Sequence, residues 1–200
     1  MVWQEMRAVA ALVVLVATAG CNRVFGLERQ DTPADAAEID VAVSTIGCAD
    51  GTRELLEPVV QFPTVAGCAG SWTVPGVTAS GPNTAMALCA EGWHICAGAS
   101  EFRAHGGMCV VGTEARYLFV TAQQSSASLV CDGIGANEVF GCGIGFGLST
   151  TSGCLPLDRA IGTDTVAENN LWNVGEDAGL ERNAVTKAPG PGGVLCCAGT

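Results

Sequence analysis

Positive charge is what this 200-residue chain has least of: nine Lys and Arg stand against twenty Asp and Glu, for a net charge of −11. Lys187 is the single lysine, and the chain holds one tyrosine and two histidines. Proteins that bind nucleic acid use Lys and Arg to displace counterions from phosphates, so no nucleic-acid partner is expected. An anionic bilayer surface repels this charge too, so any membrane attachment must be hydrophobic or covalent. Only 14% of residues are charged, which leaves solubility to Gly, Ser, Thr and Asn. No apolar run reaches the roughly 18 residues of a membrane-crossing helix.

The familiar catalytic signatures are missing as well. There is no Gly-x-Ser-x-Gly elbow. Lys187 is followed by Ala188, so there is no P-loop, and Phe146 stands where a third glycine would follow Gly141 and Gly143 in a dinucleotide loop. His-Glu-x-x-His, EF-hand spacing and Cys-x-x-Cys are all absent from the sequence. No cofactor is implied.

What is present begins at the N-terminus. Residues 8–19 (AVAALVVLVATA) form an unbroken apolar run behind Arg7. As helix it rises about 18 Å, short of a hydrocarbon core of roughly 30 Å but the length of a signal-peptide core. The run ends in Thr18 and Ala19, and Gly20 and Cys21 follow. This ending resembles the lipobox of bacterial lipoproteins, an aliphatic residue, a small residue, Gly or Ala, then the lipid-bearing cysteine. Ala19, Gly20 and Cys21 match, while Thr18 stands where Leu or Val is usual. The segment Cys21 to Leu27 also resembles the start of many bacterial surface lipoproteins. The resemblance implies cleavage before Cys21, acylation of Cys21, and a place in the cell envelope, anchored outside the cytoplasm at the outer membrane or cell surface. Buried acyl chains contribute about 0.8 kcal/mol per CH₂. The alternatives are plain secretion, with Cys21 an ordinary thiol, and an uncleaved anchor.

Three regions are expected: a signal peptide over 1–20, a lipidated cysteine and disordered acidic tether over 21–47, and a globular domain over 48–200. The tether carries Glu28, Asp31, Asp35, Glu38 and Asp40 against Arg23 and Arg29, and self-repulsion extends such a segment.

Setting Cys21 aside leaves Cys48, Cys68, Cys89, Cys96, Cys109, Cys131, Cys142, Cys154, Cys196 and Cys197. An even set in an exported chain reads as a disulfide framework. Cys89, His94 and Cys96 have metal-ligating chemistry, but zinc takes four ligands and exported thiols are bridged, so no metal is expected. Neighbouring Cα atoms lie about 3.8 Å apart, closer than the about 4.4–6.8 Å of ordinary disulfides. On a strand, Cys196 and Cys197 therefore point to opposite faces and each staples a different element. A vicinal bond acting as a switch is the alternative.

Pattern and punctuation give a coarse map. Residues 55–62 and 71–77 read as edge strands. Residues 84–91 read as a short helix capped by Asn83 and stopped by Gly92. Residues 93–96 are extended, 100–105 form a helical turn ended by Gly106, and 117–122, 128–131 and 194–197 are strands. Residues 141–147 form a loop or irregular strand, and 188–193 a turn. The fold class is α+β, a compact disulfide-rich domain with antiparallel strands and one or two short helices. Cys89, Gly92, Ser100, Glu101 and the strand 194–197 give it a resemblance to the C-type lectin-like fold. That resemblance implies a bond from Cys89 to Cys196 or Cys197. The family's Glu-Pro-Asn, Gln-Pro-Asp and Trp-Asn-Asp motifs are absent, so it implies a scaffold without calcium-dependent sugar binding.

The remaining candidates each have a plain reading beside a functional one. Trp72, Trp93 and Trp172 form core or a binding surface. His105 is a helix-end cation or a base, and either histidine could join Ser100 or Asp132 in a triad. Glu176 and Asp177 form a solvated loop, a cation site or an acid and base pair. The expected function is a membrane-tethered, non-enzymatic recognition domain for a protein or glycan. A structural envelope protein and an extracytoplasmic hydrolase with dispersed catalytic residues are the alternatives.

Overall fold

The computed structural model describes residues 45–109, 117–126, 131, 135–143, 154–163 and 170–199. The described residues all fall within one compact unit, Val43–Thr200. The signal segment, Cys21 and the tether up to residue 44 lie outside the described residues, as do Asp132, residues 128–130 of the strand expected over 128–131 and residues 144–147 of the loop expected over 141–147.

Among its described residues this unit carries eight strands. They are β1 (Val65–Ala69), β2 (Trp93–Ile95), β3 (Phe119–Ser125), β4 (Asn137–Cys142), β5 (Arg159–Ile161), β6 (Trp172–Asn173), β7 (Thr186–Lys187) and β8 (Gly193–Ala198). Two short helices, α1 (Ala99–Ala104) and α2 (Glu181–Ala184), and a 3-10 turn at Ala85–Leu88 join them. The coarse expectation of an α+β domain with antiparallel strands and few short helices is met.

β8 is the hub. Its sequence, GVLCCA, is apolar at almost every position, as suits a strand covered on both faces. β1 runs antiparallel along one edge, Val65 opposite Cys197 and Ala69 opposite Gly193. The other edge is shared: β2 pairs antiparallel with Cys196–Ala198, and β3 pairs parallel at Gly193 and Val194. β4 and β5 extend the sheet antiparallel beyond β3. Gly193 lets β1 approach this closely, because a Cβ there would collide with the carbonyl oxygen of Cys68.

Strand alternation sorts the side chains into two cores, one on each face. Val194 and Cys196 join Ala66, Trp93, Ile95, Val120, Val139 and Ile161 in one. Leu195 and Cys197 join Val65, Phe102, Phe119, Phe140 and Ala160 in the other. Cys196 bonds Cys89 in the first core and Cys197 bonds Cys96 in the second, with Cα–Cα distances of 5.7 and 5.0 Å. The adjacent cysteines thus fasten two different elements to opposite faces of one strand. Cys48–Cys68, Cys109–Cys142 and Cys131–Cys154 complete five disulfides.

Several local expectations are corrected. The helix expected over 84–91 is a single 3-10 turn; Thr84 precedes it, Asn83 adopts φ 58°, and Cys89 is already extended. Cys89 leaves the helical path because it bridges to Cys48 in backbone pairing and bonds Cys196. The edge strands expected over 55–62 and 71–77 shrink to isolated bridges, Leu55 with Gly67 and Trp72 with Lys187. Pro58, Pro63 and Pro75 have no N–H to donate to a ladder. β2, α1 and β8 stand where expected, and the 117–122 strand begins two residues later, at Phe119.

Candidate functional site

Two surface depressions bring polar side chains together. The first forms where β6 and β7 pair and the chain at Trp72 adds a bridge to Lys187. Alternation turns Trp72, Lys187 and Trp172 inward as a row. The tryptophan rings meet edge to face, centroids 5.3 Å apart at 79°, and Lys187 Nζ lies 5.8 Å from the Trp172 ring centre. Lys187 is 1% exposed, and its Nζ donates to the carbonyls of Gly70 and Gly190 at 2.8 Å and of Ala188 at 3.3 Å. The same alternation leaves Ser71, Thr73, Asn173 and Thr186 around an open groove of about 430 Å³, with Asn170 at its end. Asn173 is oriented by a hydrogen bond from the N–H of Gly175. The groove offers neutral hydroxyl and amide groups over a rigid floor. Its volume falls within the roughly 300–1,000 Å³ of small-ligand sites.

The second depression lies at the start of α1. His94 sits between core residues Trp93 and Ile95 on β2 and so points to the opposite face. Its Nε2 is 2.8 Å from Glu101 Oε1. Glu101 Oε2 accepts from the N–H of Ala97, and Gln123 Oε1 of β3 accepts from the N–H of Ala99 at 2.7 Å. Burial pushes the Glu101 carboxyl up, but the Ala97 N–H, the His94 hydrogen bond and the charges of His94 and His105 outweigh it and hold it below its ordinary value. Glu101, Ser100 and Gln123 line a cleft of about 380 Å³. Gln123 Nε2 is buried there without a hydrogen-bond partner.

The other candidates resolve individually. Trp72, Trp93 and Trp172 are core, 1%, 7% and 4% exposed. Cys89 and Cys96 are bonded to Cys196 and Cys197, so they have no thiolates to share with His94 in a metal site. His105 ends α1, and its carbonyl accepts from Thr64 Oγ1. Glu176 and Asp177 lie exposed in a loop, where Asp177 accepts from the Gly179 N–H. The sulfurs of Cys109 and Cys142 and a carboxylate oxygen of Asp158 lie within 4.8 Å of one another. The two sulfurs are bonded, so this set is not a metal site as it stands.

Sequence reading missed the groove, because its residues come from three separated segments and none belongs to a motif. The alternation apolar, polar, apolar at Trp172, Asn173 and Val174 was the available signal. The fold and these sites define a disulfide-stapled α+β domain with small polar depressions. No family model, no curated protein and no solved structure matches this chain.

Proposed function

We propose that this chain is a membrane-tethered extracytoplasmic lipoprotein whose domain recognises a protein or glycan without catalysis. The groove carries the reading. Ser71, Thr73, Asn170, Asn173 and Thr186 supply neutral donors and acceptors suited to sugar hydroxyls or peptide amides, and the tryptophan–lysine floor beneath them is rigid. The lipobox-like ending at Cys21 supports the tether, and five disulfides agree with an oxidising compartment. The bond from Cys89 to Cys196 supports a C-type lectin-like scaffold. The test is binding of full-length protein to arrayed envelope glycans and peptides. A saturable ligand is expected, weakened about tenfold by Asn173→Ala, equivalent to about 1.4 kcal/mol. No saturable ligand, with an envelope defect on deletion, would point to a structural role instead.

The His94–Glu101 pair favours a second reading as a hydrolase, since an oriented imidazole beside a cleft can move a proton. Turnover of ester, peptide or glycoside substrates abolished by His94→Asn would establish it. Turnover indifferent to that change would dismiss it.

A further inference from the structure

The five disulfides differ in how a nucleophile meets them. Both ends of Cys48–Cys68, Cys89–Cys196 and Cys96–Cys197 are buried. Two bridges pair a partly exposed cysteine with a buried one, Cys109 with Cys142 and Cys131 with Cys154. Beside the first of these lies an acid, Asp158. Cys142 ends β4, and Asp158 is tied to both of its chain neighbours: the Asp158 N–H donates to the Gly141 carbonyl at 3.1 Å, and Asp158 Oδ1 accepts from the Gly143 N–H at 2.9 Å. That double clamp fixes the carboxyl, an oxygen of which lies within 4.8 Å of both sulfurs.

We propose that Cys109–Cys142 is the exchangeable disulfide of this domain, opened by a low-molecular-weight thiol at Cys109 with Asp158 supplying the proton to Cys142. The entering thiolate attacks Cys109 Sγ, and a new S–S bond forms as the Cys109–Cys142 bond breaks. The electron pair departs on Cys142 Sγ, which takes the Asp158 proton and becomes a thiol, leaving Asp158 as carboxylate. The entering sulfur is oxidised to the disulfide level and Cys142 is reduced. The direction follows from burial. Cys109 is the reachable end, while Cys142, 0% exposed, has no water to stabilise a thiolate and needs a local proton donor. Burial raises the Asp158 pKa and keeps its proton to higher pH, against the opposing pull of the Gly143 N–H, its own backbone and the Arg159 charge.

The experiment treats full-length native protein with glutathione, quenches with acid, alkylates free thiols and maps the peptides. The readout is the opening rate of Cys109–Cys142 relative to Cys131–Cys154, a ratio in which the thiolate fraction of glutathione cancels. Glutathione on Cys109 and alkylation of Cys142 are expected ahead of the other bridges. The ratio should fall by up to about tenfold per pH unit as Asp158 ionises, and should be flat with pH in Asp158→Asn. Asn retains the acceptor for the Gly143 N–H, and the wild-type order and pH slope decide the matter even without the variant. Glutathione on Cys142, earlier opening of Cys131–Cys154, no adduct at all, or a pH slope retained in Asp158→Asn would each overturn the proposal.

Discussion

Lys187 shows how much one residue can be asked to do. In sequence it marks only the absence of a P-loop, yet in the fold it is a buried cation whose ammonium donates to three carbonyls beneath the groove. Lys187→Met strands those acceptors and should lower unfolding stability by about 2–4 kcal/mol, read by denaturant titration. An amine-reactive ester should leave Lys187 untouched in native protein and modify it after unfolding. Glu101 brings a pH dependence with a definite sign. Its folded pKa lies below the unfolded value, so its stabilisation is full above the ordinary carboxylate range and is lost as pH falls through the folded value. Glu101→Gln should flatten that part of the acid-stability curve. Asp158 has the opposite sign: its raised pKa means that ionisation costs stability as pH rises through it. Asp158→Asn should therefore match or exceed wild type in melting temperature at neutral pH and lose that advantage in acid.

Among the elements, β8 unites the two cores, and its disulfides should dominate the entropy of the unfolded chain. Cys89–Cys196 closes a separation of 107 residues and Cys48–Cys68 one of 20. In the chain-entropy model, replacing each pair by alanines costs about 5 and about 3 kcal/mol respectively. Equal losses in denaturant titrations would show that native-state effects outweigh loop closure. β8 was legible because aliphatic residues run up to two adjacent cysteines, and α1 because Gly106 and Gly107 end it. β1 was not legible: VAGCA has little strand character, and its pairing depends on Gly67 passing close to Leu55. The 84–91 helix failed because a helical composition cannot outweigh a covalent bond and a bridge that pull Cys89 straight. The His94–Glu101 contact was hidden because two elements, β2 and α1, must meet before the pair exists. The groove was hidden for the same reason, three times over.

At the scale of the whole molecule, covalent and noncovalent order agree: four of the five bridges have an end on a strand of the main sheet, and bridging of this density belongs to an oxidising compartment. No helix among the described residues is long and apolar enough to cross a membrane. The proposed attachment is the lipid on Cys21. The measurement that tests it most directly is the intact mass of protein extracted from membranes, unreduced and exposed to a thiol alkylator. Residues 21–200 plus acyl chains, less ten hydrogens for five bridges and with no alkylation, is the expected result. An unacylated mass, or one bearing alkylated thiols, would contradict the anchored, fully bridged protein.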